Sequence, residues 1–384
     1  MTGRMILSCI VLACTMTLAG CGRGEPMADT VAESLQAELE TQRATKHMVL
    51  GVEGQTQAEA PGLSAAVILP DGSVWTGTAG ISSATEPMTP EMRFGLASVT
   101  KTYVAALVHQ LADEGVLSLD DPIGQWVDGL GGIDPNITLE QLLHHTSGIH
   151  RYQQKPAYLG AVYADPEKVW TPREILETFQ GEPECEPGAC FGESAMDYVL
   201  LGMAVEKATG SPAADLLTAR ILDPLGLAHT CLYPDRTYPV ERMAHMWWDL
   251  EGAGKPVDVV EGSGDLPLAG MWSALWTSGA MHATAEDLAR FARALFEGDV
   301  LSDTALDAML TSGPELGPGF RYGSSVMVEQ VGEKTAYWHP GGAGYASVYY
   351  HVPDDGITVA VLGNLMVDLK PVARALHQTC LASE

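Results

Sequence analysis

Apolar residues recur at helical spacing through SVTKTYVAALVHQLADEG, where Val104, Leu107, Val108 and Leu111 stand at i, i+3, i+4 and i+7. That spacing is one face of an amphipathic helix, and Gly115 is its expected C-cap. Helical patterning also marks residues 31–45 (VAESLQAELETQRAT), LEQLLHH, PREILETFQ, MDYVLLGMAVEKATG, AADLLTARILDPLG and ATAEDLARFARALFEG (283–298). Elsewhere the pattern is that of strands. LSAAVILP and SVWTGTAGI flank Asp71-Gly72 and predict a β-hairpin with a two-residue turn. Near the end, YGSSVMVEQV, KTAYWHP, YASVYYHVP and ITVAVLGN predict strands, with a last helix near 368–380. EGAGKPVDVVEGSGDLPLAG, near 251–270, reads as a long Gly/Pro-rich loop. A hairpin, a helical block and a run of strands predict an α+β fold: an antiparallel sheet flanked by helices, with an all-α insertion.

At 384 residues the chain can bury a large core, and 46% hydrophobic against 18% charged residues is a globular composition. A net charge of −28 argues against nucleic acid as a partner, because phosphate repels such a surface. The start, MTGRMILSCIVLACTMTLAGC, has one arginine, an apolar run and then small residues, the order of a secretory signal over residues 1–20. The apolar run is too short to favour a spanning helix, which needs roughly 20 residues. Leu18-Ala19-Gly20-Cys21 resembles a bacterial lipoprotein cleavage box, so Cys21 is expected to carry lipid and make the membrane a partner. The expected location is the bacterial cell envelope, facing the periplasm or the exterior. Residues 21–45 then form a tether and first helix. Residues 46–384 form the folded domain, with an α/β part (46–117 and 266–384) and a helical part (118–265).

Removing Cys9 and Cys14 with the signal, and Cys21 to lipid, leaves Cys185, Cys190, Cys231 and Cys380. Four cysteines in an exported chain allow three disulfide connectivities. Cys185–Cys190 is the preferred local pair, with Cys231–Cys380 by elimination. The spacing lacks a second short Cys/His pair, so a zinc site is not expected.

Ser98-Val99-Thr100-Lys101 is the candidate chemistry, and the one S-x-x-K of the chain. Residues three apart on a helix are neighbours, so a hydroxyl nucleophile lies beside an amine. Burial lowers a lysine's pKa and makes a neutral amine available to take the hydroxyl proton. Free amides of the first helical turn favour negative charge developing there. No G-x-S-x-G occurs, so the nucleophile elbow of an α/β-hydrolase is absent.

Five segments follow in one order over about 45–380: RFGLASVTKTYVAALV, LLHHTSGI (142–149), YVLLGMAVEKATG (198–210), ATAEDLARF and YWHPGGAGYASVYYHVPDDG. Together they resemble the serine β-lactamase and penicillin-binding-protein family, especially its class C β-lactamase, D,D-peptidase and esterase branch. The resemblance implies a β-lactamase-like fold and an acyl-serine intermediate, with Ser98 as nucleophile and Lys101 as its activating partner. A third motif of that family, K-T-G or H-x-G on a strand beside the serine, matches His339-Pro340-Gly341. By the same resemblance, the backbone amides of Ser98 and Gly342 form the oxyanion hole. The missing side chain at Gly341 lets substrate lie along the strand edge. No cofactor and no metal are expected.

The second family motif, Y-x-N before a helix, is altered. The segment Phe191-Gly192-Glu193-Ser194-Ala195-Met196-Asp197-Tyr198 carries Glu193 in the tyrosine position and Ala195 in the asparagine position. Tyr198 matches a second, structural tyrosine. Glu193 either takes over as base, directly or through a water, or locks Lys101 in a salt bridge and leaves Ser98 unactivated. Ala195 removes an amide, and losing such a hydrogen bond commonly costs ~1–3 kcal/mol. His144, His145 and His150 are read as shaping a turn rather than holding a metal, and Trp247, Trp248, Trp272 and Trp276 as core packing. The expectation is a serine hydrolase acting on an ester, amide or D-amino-acid peptide, so its partner is a small-molecule or peptide substrate. His339 in place of a lysine leans the reading towards esterase or D-peptidase. The alternative is a catalytically impaired member that binds cell-wall peptide or a protein partner.

Overall fold

The computed structural model describes residues 28–50, 56–234, 242–249, 251–260 and 268–383. The expected signal, cleavage box and lipid-bearing Cys21 lie outside the described residues.

The expected hairpin forms β1 (Gly62–Ile68) and β2 (Val74–Gly80), but its turn is longer than the two residues expected: Leu69 N–H donates to the Ser73 carbonyl, so Pro70-Asp71-Gly72 makes the turn, with Gly72 at φ +85°. The C-terminal run forms β3 (Glu315–Gly317), β4 (Phe320–Tyr322), β5 (Met327–Val331), β6 (Lys334–Ala343), β7 (Tyr345–Val352) and β8 (Ile357–Gly363). All eight join in one antiparallel sheet in the order β3-β4-β5-β6-β7-β8-β1-β2. The hairpin from the start of the chain thus docks on the last strand, Ala66 opposite Ala360. β1, β7 and β8 are buried along their whole length because both faces of the sheet are covered.

One face packs on α1 (Asp29–Arg43) and on the C-terminal helix Lys370–Ala382, through Leu35, Leu39, Leu63, Val348, Val361 and Leu376. The other face packs on α2 (Thr100–Asp113) and on the helix Ala285–Phe296, through Ala66, Tyr103, Phe291, Tyr349 and Leu362. Tyr103 stacks on Phe291 with ring centroids 3.5 Å apart. Beyond α2 lies the helical insertion, which includes α3 (Leu139–Leu143) and α4 (Ala195–Thr209). Thr138 caps α3 reciprocally with Gln141, and Gly210 ends α4 at φ +71°.

The structure adds elements that the apolar pattern did not announce. The helix Pro156–Ala164 is apolar nearly all round, so no stripe marked it. The helix Asp303–Thr311 starts at an N-cap serine, Ser302. Cys231–Leu232 in the helical part pairs with Met281–Ala283 beyond it, and Trp247–Trp248 pairs with Val257–Asp258. The loop expected over 251–270 therefore contains a short strand, and it runs into a helix at Leu268–Leu275.

The Cys185 and Cys190 sulfurs lie at disulfide distance, 2.03 Å. The second expected pair is corrected: Cys231 and Cys380 are not joined. Cys231 is on the short strand beside Met281–Ala283, in the half built around α2. Cys380 is buried in the C-terminal helix, on the opposite face of the sheet. Elimination by count ignored that the sheet separates them. Among the described residues no helix is long and apolar enough to cross a membrane.

Candidate active site

β6 outruns its neighbour. Pairing with β5 ends at Met327 opposite Trp338, while pairing with β7 continues to Ala343 opposite Tyr345. Residues 339–343 therefore keep one strand edge without a partner strand. The 3-10 turn Ala97–Val99 leads into α2 beside this edge. The approach is close: a Cβ at Gly341 would lie 2.2 Å from the Leu96 carbonyl oxygen and 2.3 Å from Ser347 Oγ. That carbonyl accepts from Ser347 Oγ at 2.7 Å, and Leu96 N–H donates to the Met281 carbonyl at 2.7 Å. Ala97 holds φ +46°, a left-handed backbone that costs a non-glycine residue ~1–2 kcal/mol. This strained residue immediately precedes Ser98.

Ser98, Lys101 and Glu193 close a triangle. Lys101 Nζ donates to Ser98 Oγ at 2.8 Å and to Glu193 Oε1 at 3.1 Å, while Ser98 Oγ donates to the same carboxylate oxygen at 3.0 Å. Lys101 is 3% exposed, Ser98 is half-buried, and the Glu193 side chain keeps 39% of its surface open. The carboxylate is thus set among protein groups yet reachable from solvent. Burial opposes its ionisation. Lys101, then His145 and His339, outweigh burial and hold Glu193 well below the usual carboxylate range.

Glu193 is placed by backbone. Gln153 Nε2 donates to the Glu193 carbonyl at 2.7 Å, and Gln153 Oε1 accepts the Ala195 amide at 3.2 Å. Ser194 Oγ donates to the His150 carbonyl at 3.0 Å. Sequence reasoning missed this role of Gln153. No local pattern marks a residue about 40 positions away that clamps a loop by its side-chain amide.

His339 stands on the same face of β6 as Tyr337 and Gly341, opposite Tyr349. Its Nδ1 lies 2.7 Å from the Pro340 carbonyl, which can only accept, so Nδ1 carries the proton. Nε2 then accepts from the Tyr322 hydroxyl at 3.2 Å. Burial lowers its pKa to about 4, against the opposing pull of Glu193, so the ring is neutral near pH 7. Gly342 follows Gly341 on the free edge and is exposed. The other histidines serve different places: His144 Nε2 bonds Ser312 Oγ and Ser324 Oγ, and His145 bonds Asp197. Among the described residues no group of His, Cys, Asp and Glu could hold a metal ion.

A family model described as Beta-lactamase matches residues 36–382. The chain belongs to the Beta-lactamase family. It is 27% identical over 295 residues to penicillin-binding protein 4* of Bacillus subtilis (strain 168), covering 72% of this chain but 62% of that protein, less than two thirds of it. It is 30% identical over 305 residues to esterase EstB of Burkholderia gladioli, covering 70% of this chain and 75% of that protein. Among solved structures, a D-stereospecific amidohydrolase from Streptomyces sp. superposes with a TM-score of 0.75 at 29% identity, covering 90% of this chain and 98% of that one.

Proposed function

We propose that the protein is a serine hydrolase that cleaves esters, amides or D-amino-acid peptides through an acyl-Ser98 intermediate, with Glu193 as the proton acceptor. One observation carries this reading: the Ser98 hydroxyl donates to Glu193 Oε1 at 3.0 Å while Lys101 donates to Ser98 Oγ at 2.8 Å. The altered second motif thus supplies a base within direct reach of the nucleophile.

In the reaction, Ser98 Oγ bonds to the substrate carbonyl carbon as its proton passes to Glu193. The carbonyl π pair moves onto oxygen, facing the amides of Ser98 and Gly342. Such donors are often the largest single contribution to catalysis. Collapse breaks the bond to the alcohol or amine, which leaves with the proton from Glu193. Water then attacks the acyl carbon and gives a proton to Glu193. Ser98 departs with that proton, and the free acid is released. Lys101 stabilises the charge that develops on Ser98 Oγ. Relatives named as an esterase and as a D-stereospecific amidohydrolase support this range of substrates. The neutral His339 supports the lean away from carboxylate-bearing substrates, since it offers them no cation.

The lipoprotein signal supports an envelope location with lipid on Cys21, and the Cys185–Cys190 pair suits an oxidising compartment. Palmitate incorporation by the full chain, lost in Cys21→Ala, tests the anchor. The activity is tested by p-nitrophenyl ester hydrolysis and by intact-mass detection of a fluorophosphonate adduct. Both are expected in the native protein and absent in Ser98→Ala. Ester turnover that persists in Ser98→Ala rejects the reading. The absence of adduct and of turnover across several probes favours a member of the fold that only binds.

A further inference from the structure

We propose that His145, backed by Asp197, is a positioning residue for the Glu193 carboxylate; this rests on the catalytic reading above. Glu193 lies on a short strap between the 144–150 loop and α4. On the loop side, the His145 carbonyl accepts the Gly192 amide at 2.9 Å. On the helix side, Asp197 follows Glu193 by four residues, in the first turn of α4. Asp197 ties the two sides together. Its Oδ2 accepts from His145 Nδ1 and its Oδ1 from Ser147 Oγ, both at 2.6 Å. His145 and Asp197 are 0% exposed and Ser147 is 1% exposed.

A buried carboxylate is costly to keep unless its bonds are made, so a plain loop staple has cheaper solutions. Three features go beyond a staple. His145 holds φ +56°, a left-handed backbone uncommon outside glycine. Its Nε2 is buried without a hydrogen-bond partner among the described residues, although asparagine would bond Asp197 without burying a second nitrogen. Its ring lies 5.2 Å from Tyr198, 5.6 Å from Tyr322 and 6.4 Å from Phe191. Tyr322 is the residue that donates to His339, and Lys101 Nζ stands 5.9 Å from the Tyr198 ring. His145 therefore sits directly behind the groups that frame the triangle, with its backbone fixing the strap and its ring fixing the surroundings of the carboxylate. The titratable groups facing Glu193 are Lys101 from α2, His145 from the loop, His339 from β6, Asp197 and Tyr198 from α4, and Tyr322 from β4.

His145→Asn tests this, because the amide nitrogen can take the place of Nδ1 and keep the Asp197 bond while the ring and Nε2 are lost. The variant is expected to fold and still label at Ser98. We expect kcat for a p-nitrophenyl ester to fall about tenfold or more, with KM within about twofold. The rate of fluorophosphonate labelling of Ser98 is expected to fall in step with kcat while the variant keeps a cooperative melt close to the native one, a split that a merely structural loss would not give. A folded His145→Asn whose labelling rate and kcat both stay within about twofold of the native values overturns the proposal. If that variant does not fold, Asp197→Asn is read by the same labelling rate and kcat. Ser98→Ala activity, or full activity in Glu193→Gln, would instead reject the catalytic reading itself, so the two failures are distinct.

Discussion

Replacing Glu193 by glutamine separates the base from the hydrogen bond. A glutamine oxygen can still accept from Ser98 where Oε1 now stands at 3.0 Å, but it takes no proton at neutral pH. Loss of a positioned general base costs ~10²–10⁴-fold in rate, or ~2.7–5.5 kcal/mol on the barrier. The effect on stability is smaller. Lys101 is 3% exposed and would lose its counter-charge, a loss of ~3–5 kcal/mol in a sealed interior. The Glu193 side chain is 39% exposed, so solvent screens the pair and the expected loss is nearer ~1 kcal/mol. In a protein of this size that is ~1 °C in Tm. The assay is kcat/KM for a p-nitrophenyl ester across pH, paired with the rate of fluorophosphonate labelling of Ser98 and a thermal melt. The native enzyme should keep its acid limb below the ordinary carboxylate range, because Lys101 and the two histidines outweigh burial at Glu193. A folded Glu193→Gln that stays within about threefold of native at every pH would refute proton acceptance by this residue.

Gly341→Ala should cost ~1–3 kcal/mol and most of the activity, since the new Cβ would meet the Leu96 carbonyl at 2.2 Å and force β6 off the turn that carries Ser98; unchanged Tm and kcat would contradict this. Stability should fall as pH drops, as read by the urea midpoint. Burial lowers His109, His144, His339 and His351 to about 4, so the unfolded chain binds more protons between that value and ~6.5. Their contribution is full above ~6.5 and lost as pH falls through about 4. Asp197 and Asp287, raised by burial, act in the opposite sense and offset part of it. Opening Cys185–Cys190 by Cys185→Ser/Cys190→Ser should cost about 2 kcal/mol by loop closure. It should also lower kcat, because the 184–192 loop is strapped to the 145–148 turn by Glu184 N to Gly148 O, Gly188 N to Thr146 O and Gly192 N to His145 O. An unchanged kcat in the double variant would show that Glu193 is held without the bridge.

Local pattern was enough wherever one element decides its own fate. The spacing of Val104, Leu107, Val108 and Leu111 predicted α2, and Asp71-Gly72 between strand-like runs predicted the β1–β2 hairpin. Ser98 and Lys101 are three apart on one chain segment, so their contact followed from helical geometry alone. Glu193 could be singled out in the sequence, but its direction could not, and both a base and a locked salt bridge were open. Only the tertiary structure gives that direction: Gln153, the His145 carbonyl and α4 hold the carboxylate within hydrogen-bond distance of both Ser98 and Lys101. The distant pairing of β8 with β1, the layers that part Cys231 from Cys380, and the buried Asp197–His145 bond are likewise absent from any local window. The physical reason is common to all three: periodicity reports which side of an element is apolar, whereas which elements meet, and at what register, is settled by packing among residues far apart in the chain.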